Sequence, residues 1–378
     1  MLSLTEELSR LDPDLRARLE RAGFDAARLV RLAGGLGAPD AAAKRAAENR
    51  VQGEVRAPDA SELLTLEGQD QAALAKVGHD AIARGELAFC VMAGGMATRM
   101  GGVVKALVEA FAGNTFLSLR LGENRTVSAR AGRPVPLWLM TSEATHSGIE
   151  AALRAANAPA HVACFMQDLS LRVTPEGHLF RDASGAPSTY ATGHGDLVDA
   201  LRRSGLLAPF LASGGKYVWI ANLDNLGAAI DEAILGRFVG TGKDVMVEVC
   251  DKVAGDRGGI PVHAAGKLQV LEEFRLPTGF DASSVRVFNT NTFLVRAKAL
   301  AEAPIDWSFF YVEKKVDGRV AVQFERLLQE LTAALPSAYL RVPREGDASR
   351  FLPVKDMDEL AARRPVIEKL ARTRGMVG

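Results

Sequence analysis

The stretch Phe89-Cys-Val-Met-Ala-Gly-Gly-Met-Ala-Thr-Arg-Met-Gly-Gly-Val-Val-Lys105 carries the residue types that handle phosphate. An apolar run from Leu87 to Ala93 reads as a buried strand. It breaks into a loop in which Gly94, Gly95, Gly101 and Gly102 are interleaved with Arg99 and lead to Lys105. Glycines let backbone N–H groups approach an anion closely, and the two cations supply charge that amides lack. The spacing excludes a P-loop, which needs Gly-Lys-Ser/Thr after four intervening residues, and the dinucleotide fingerprint Gly-x-Gly-x-x-Gly is absent. Leu32-Ala-Gly-Gly-Leu-Gly37 is superficially similar, but it follows a segment of helical character and Gly34 suits a helix C-cap. It is read as a helix-ending turn.

Further along, Tyr217-Val-Trp-Ile-Ala-Asn-Leu-Asp-Asn-Leu-Gly227 reads as an apolar strand ending in Asn222, Asp224 and Asn225. A hard cation such as Mg²⁺ is held by one or two carboxylates plus phosphate oxygens, and Asp224 suits that role. A second reading, a helix N-cap for Asp224 or Asn225, stays open because Leu226 to Leu235 has a helical pattern. In Tyr190-Ala-Thr-Gly-His-Gly-Asp196, His194 between Gly193 and Gly195 is expected to open a helix, with an exposed imidazole and free backbone donors beside it. Met140, in Pro136-Leu-Trp-Leu-Met-Thr-Ser142, falls at the carboxyl edge of a strand, where open α/β folds bind ligands; an ordinary buried strand reads equally well. Gln167 follows the strand Val162–Met166 and could pair with a nucleobase edge or cap a turn. Asn289 and Asn291 share one face at period two, and sugar hydroxyls are natural partners for their amides. Lys355, in Arg350-Phe-Leu-Pro-Val-Lys-Asp356, precedes a charged terminal helix and on its own reads as solvated surface.

The elements that must position these residues alternate from Leu87 onward between strand and helix, which predicts an α/β sheet with helices on both faces. Strands are expected at 87–93, 136–141, 162–166, 217–222, 245–250, 267–272, 288–294 and 338–341. Helices are expected at 147–157, 196–204, 231–241 and 356–374. Residues 3 to about 85 are helical in pattern, beginning with the capping-box spacing Ser3-Leu-Thr-Glu6. In 378 residues, 46 Lys and Arg balance 46 Asp and Glu, which points away from nucleic acid and anionic membranes. Three cysteines, Cys90, Cys164 and Cys250, lie far apart in apolar surroundings, as expected of buried thiols in a reducing compartment. Met1-Leu-Ser-Leu-Thr-Glu-Glu lacks the basic start and apolar core of a signal peptide, and no apolar run has membrane-spanning length. The expectation is a cytoplasmic protein.

Taken in order, Gly-Gly-x-x-Thr-Arg-Met-Gly…Lys, Leu-Met-x-Ser, Phe-x-Gln, Gly-His-Gly-Asp, Asn-x-Asp-Asn-Leu-Gly-Ala, Met-x-Glu-Val-x-Asp-Lys, Phe-Asn-Thr-Asn and Phe-Leu-Pro-Val-Lys resemble the UTP–glucose-1-phosphate uridylyltransferase (UDP-glucose pyrophosphorylase) family. The resemblance runs from about residue 87 to 360. It departs from the family's nucleotide loop at Ala97, where Gly is usual, and at Val104, where Pro is usual. It implies a Rossmann-like nucleotidyltransferase domain with a mixed central sheet over residues 86–378 and an N-terminal helical extension over residues 1–85.

By the same resemblance, Met92, Ala93, Gly94 and Gly95 would line the nucleotide loop, with Arg99 and Lys105 on the triphosphate. Met140, Gln167 and Gly193 would meet the uracil, and His194 the sugar phosphate. Asn222 would hold sugar or ribose, Asp224 the Mg²⁺, Asn289 the glucose side and Lys355 the reacting phosphates. The implied reaction joins UTP and glucose 1-phosphate into UDP-glucose by in-line attack, with Mg²⁺ as cofactor and no enzyme nucleophile or general base. The rival readings are the same chemistry on N-acetylhexosamine or galactose 1-phosphate, and a nucleotide-sugar-binding regulator without catalysis. The chain ends soon after Lys355, whereas eukaryotic relatives continue into a left-handed β-helix. Assembly through such a domain is therefore not expected here.

Overall fold

The computed structural model describes residues 2–97, 101–256 and 258–377. Its centre is an eight-stranded mixed sheet made of β1 (Leu63–Leu64), β2 (Leu87–Met92), β3 (Leu137–Thr141), β4 (Val162–Met166), β5 (Tyr217–Asn222), β6 (Val245–Asp251), β7 (Val287–Arg296) and β8 (Ser337–Arg341). Their order across the sheet is β1-β8-β6-β7-β5-β2-β3-β4. Only β7 runs antiparallel to its neighbours β5 and β6; the other ladders are parallel. Continuous apolar runs suit strands covered on both faces, and all six residues of β2 are buried. Trp219 and Phe89 are fully buried, and side chains of this kind contribute roughly 2 to 3 kcal/mol each on leaving water.

The strands of the parallel ladders all point their carboxyl ends to one edge, so the loops that leave them cluster there. The helix Phe116–Ala131 packs beneath that edge. Thr115 caps it by accepting from the Ser118 amide, and Gly132 ends it in the left-handed conformation. The terminal helix Met357–Thr373 is capped by Asp356, which accepts from the Glu359 amide. Ser3 and Glu6 form the expected capping box. Gly34 is the C-cap of Ala26–Ala33, which settles the second glycine cluster as a helix-ending turn.

The first 85 residues are not wholly helical. Val55–Arg56 pairs with Ile260–Ala264, and β1 adds a strand to the edge of the main sheet beside β8. The short helices before them bury Leu8, Leu19 and Leu29 against Leu171, Val173, Val322 and Phe324, forming a second core. Cys90, Cys164 and Cys250 are unpaired. Among the described residues no helix is long and apolar enough to cross a membrane.

Candidate active site

Three neighbouring strands end level with one another. Met92 on β2 stands opposite both Asn222 on β5 and Met140 on β3. The ladder continues one step further, as the Ala93 amide donates to the Met140 carbonyl at 2.7 Å and the Leu223 amide to the Met92 carbonyl at 3.2 Å. The chain then leaves β2 at Gly94, whose carbonyl accepts from Ser142 Oγ at 2.8 Å. A Cβ on Gly94 would stand 2.4 Å from Gln167 Oε1 and 3.3 Å from the Ser142 nitrogen, so the loop lies directly against that amide. Met92, Ala93, Gly94, Met140 and Gln167 are thus together. Gly95 follows in the loop, with open space where a Cβ would be. The loop returns through a short ladder in which Met96 pairs with Val104, one of the two positions where the loop departs from the pattern it resembles. Thr98, Arg99 and Met100 lie outside the described residues.

Lys105 comes next, and its Nζ sits 2.7 Å from Asp224 Oδ2. The same oxygen accepts from the Val354 amide at 3.3 Å, beside Lys355. Asp224 therefore joins the glycine loop, the end of β5 and the segment leading to the last helix. The turn that carries it is held from below by Arg120, whose side chain is fully buried. Arg120 donates to the carbonyls of Asn222 at 2.9 Å, Leu223 at 3.3 Å and Asn225 at 2.6 Å, and pairs with Glu123 at 2.7 Å. A buried guanidinium is tolerated because every one of these contacts replaces water.

Asp224 and Asn225 do not cap a helix; the next one begins at Glu232 and is capped by Asp231. Asn225 instead donates to the Arg350 carbonyl at 3.1 Å and accepts from the Leu352 amide at 2.7 Å. Arg350 is anchored in turn by Glu248, at 2.6 and 3.1 Å. Burial pushes the Glu248 carboxyl up and Arg350 opposes it. Lys355 is exposed.

His194 differs from its expectation. It is only partly exposed, and its Nδ1 accepts from the Leu328 amide at 2.9 Å. That contact leaves the proton of the neutral ring on Nε2. Burial pushes its pKa down to about 4. Nor are the neighbouring amides free, because Gly195 donates to the Arg326 carbonyl and Asp196 to that of Gly193. Gly193 has φ +97, and a Cβ there would collide with the Arg326 carbonyl. His194 is thus a partly covered, neutral ring with Nε2–H as its donor, rather than an exposed imidazole beside free backbone donors.

Asn289 and Asn291 do not share a face. The register between β6 and β7 jumps from Glu248↔Thr292 to Val249↔Asn289, so β7 bulges there. Asn291 has φ +60. Its amide nitrogen donates to Asn222 Oδ1 at 3.0 Å, and Asn289 Oδ1 accepts from the Asn291 backbone at 2.8 Å. Sequence reasoning passed over Arg120 and Arg326, and it read Asn225 as a strand-end or cap residue rather than as the clamp on Arg350 and Leu352. Asn225 lay inside a motif already singled out, but a buried arginine leaves no local signature.

Among the described residues no group of three or more His, Cys, Asp or Glu could hold a metal. Asp224 is one carboxylate whose Oδ1 takes no hydrogen bond from the described residues, which fits a hard cation whose other ligands are phosphate oxygens and water. A separate, largely apolar cavity of about 830 Å³ lies on the N-terminal helices, lined by Leu8, Leu19, Phe24 and Val30. None of the residues above takes part in it.

The family model described as UTP–glucose-1-phosphate uridylyltransferase matches residues 41–370. A UTP–glucose-1-phosphate uridylyltransferase from Solanum tuberosum is 33% identical over 283 residues, covering 71% of this chain and 58% of the relative. One from Musa acuminata is 32% identical over 296 residues, covering 73% and 62%. The chain thus spans about six-tenths of the length of these relatives. Among solved structures, a uridine diphosphate N-acetylglucosamine pyrophosphorylase from Trypanosoma brucei superposes with a TM-score of 0.73 at 19% identity, covering 97% of this chain and 84% of that one. A UDP-glucose pyrophosphorylase mutant from Leishmania major superposes with 0.69 at 23%, covering 89% and 74%. Both share the fold.

Proposed function

Because the chain belongs to the UTP–glucose-1-phosphate uridylyltransferase family, we propose that it transfers the uridylyl group of UTP to glucose 1-phosphate, giving UDP-glucose and pyrophosphate. The observation that carries this reading is the convergence of Lys105 and the Val354 amide on Asp224, beside a glycine loop at the carboxyl edge of the sheet.

In this reading Met92, Ala93, Gly94 and Gly95 line the nucleotide, while Met140, Gln167 and Gly193 meet the uracil. Arg99 and Lys105 hold the triphosphate and Lys355 the reacting phosphates. His194 offers Nε2–H to the sugar phosphate, and Asn222 and Asn289 hold hydroxyls of ribose or glucose. The two substrates repel each other strongly, so the lysines' first task is to hold phosphates of like charge in line. A phosphate oxygen of the sugar bonds to the α-phosphorus as the bond to the β-phosphate oxygen breaks, and pyrophosphate leaves. That oxygen is already ionised, so no side chain acts as general base. Asp224 would hold Mg²⁺, which when bound supplies further neutralisation of the phosphates.

We assign the catalytic unit to residues 86–378 and treat residues 1–85 as an extension packed on it. The unpaired cysteines support a reducing compartment, the cytoplasm. The balanced charge supports small-molecule substrates rather than nucleic acid or a membrane surface.

The test is pyrophosphate release from UTP, Mg²⁺ and glucose 1-phosphate, in parallel with N-acetylglucosamine 1-phosphate, galactose 1-phosphate and the other nucleotides. Release specific to UTP and glucose 1-phosphate is expected, and removal of Mg²⁺ by a chelator should abolish it. Preference for another sugar would move the protein to a neighbouring activity. Nucleotide binding with no turnover would favour the regulator, to which the departures at Ala97 and Val104 would then belong.

A further inference from the structure

Arg326 lies behind the site, with its side chain 1% exposed, and touches both of the segments that read the substrates in the assignment above. One terminal nitrogen reaches Asp168 Oδ2 at 2.6 Å and Asp196 Oδ1 at 2.8 Å. Its Nε donates to the same Asp196 oxygen at 3.0 Å, and its other terminal nitrogen reaches Asp199 at 2.5 Å. Asp168 is the residue after Gln167, and Asp196 stands two residues beyond His194. The backbone makes the same connection. The Arg326 amide donates to the Thr192 carbonyl at 2.8 Å, its carbonyl accepts from Gly195 at 3.1 Å, and Leu328, two residues on, binds the His194 ring. Trp307 and Phe309 lie 5.6 and 5.4 Å from the guanidinium and close the remaining side.

We propose that Arg326 is a positioning residue that makes the Gln167 segment and the His194 loop one mechanical unit, so that seating the uracil also sets the donor to the sugar phosphate. This rests on the functional reading above. An arginine suits the task because its planar fork addresses two carboxylates in fixed directions, which a lysine cannot do. A merely structural ion network would hold the fold together, yet it would not link the affinity for one substrate to a side chain beside the other.

The test is a double-mutant cycle on the full chain with Arg326→Lys and Asp168→Asn. Asp168→Asn, on the uracil side, should raise the KM for glucose 1-phosphate by about tenfold, the size expected when a donor is displaced by a fraction of an ångström. Arg326→Lys should raise the KM for both substrates, and, because Asp168 also pairs with Arg203 at 2.5 Å, the double variant should cost clearly less than the two single changes summed. Effects that add independently, or an Asp168→Asn variant that alters only UTP binding, would overturn the proposal. So would a lower melting temperature and active fraction with both KM values unchanged. If the wild-type chain turns over none of the substrates, the functional reading fails separately. Nitrogen NMR of the His194 ring then decides the coupling: Asp168→Asn should shift the His194 resonances, and unchanged resonances would reject it.

Discussion

Lys105 and Asp224, 119 residues apart in the chain, meet at 2.7 Å with side-chain exposures of 20% and 14%. An ion pair this sheltered is screened less than one in open solvent, and each partner holds the other where phosphates would enter. A nucleotide that draws the ammonium towards its phosphates would release the carboxylate for a cation.

Asp224→Asn and Lys105→Met should each lower kcat by about a hundredfold or more, because in the proposed reaction both act on charge at the reacting phosphates. Circular dichroism should stay unchanged. Steady-state kinetics checks this, and a normal rate in either variant would remove that residue from the mechanism.

Arg120→Met should lower stability by about 3 to 5 kcal/mol, since it leaves Glu123 and three carbonyls without their buried partner. Urea unfolding followed by tryptophan fluorescence measures it. Pairing the change with Glu123→Gln should recover part of the loss.

His194 gives the chain a pH signature. The unfolded imidazole takes up a proton near pH 6.5, whereas burial keeps the folded ring neutral down to about 4. Between those values the unfolded state binds more protons. Stability contributed by His194 is therefore full above pH 6.5 and falls as the pH drops towards 4. Urea midpoints at pH 7.5 and 5 should diverge in the wild type and diverge less in His194→Asn. The kcat/KM for glucose 1-phosphate should show no inflection near 6.5 arising from this residue.

Gly227→Ala would place a methyl 2.7 Å from the Arg350 carbonyl carbon and 3.0 Å from the Phe351 nitrogen, both backbone. The segment carrying Lys355 must then shift, and kcat should fall by about tenfold or more. Gly240→Ala is the control. It lies within the helix Glu232–Thr241 with nothing within 4 Å, and should add about 1 kcal/mol of stability without changing the rate.

Much of the sheet was legible because its strands are apolar runs bounded by polar turns. The strands 162–166 and 217–222 appear with the expected limits. The helix Phe116–Ala131 was not read, since Arg120, Glu123 and Asn124 occupy its buried side and erase the apolar stripe that marks an amphipathic helix. The hairpin Phe310–Val316/Arg319–Glu325 was also missed, although Asp317-Gly318 is a strong turn signal and both residues have positive φ. In the site, the glycine loop and Asp224 carried local motifs. The bulge that turns Asn291 onto Asn222, and the amide that fixes the His194 tautomer, depend on contacts between distant segments that no local pattern announces.

Asp224 accepts from the backbone of Val354, and Asn225 grips Arg350 and Leu352. The ribosome makes the glycine loop and the acidic turn long before it makes these residues. Even once the last strand, Ser337–Arg341, has been made, a chain short of Val354 has the sheet edge but not the segment that closes over it. The proposed site is therefore completed last, and a proteolytic cut between Gly227 and Arg350 that let the pieces separate would dismantle it while sparing most of the strands assigned to the nucleotide.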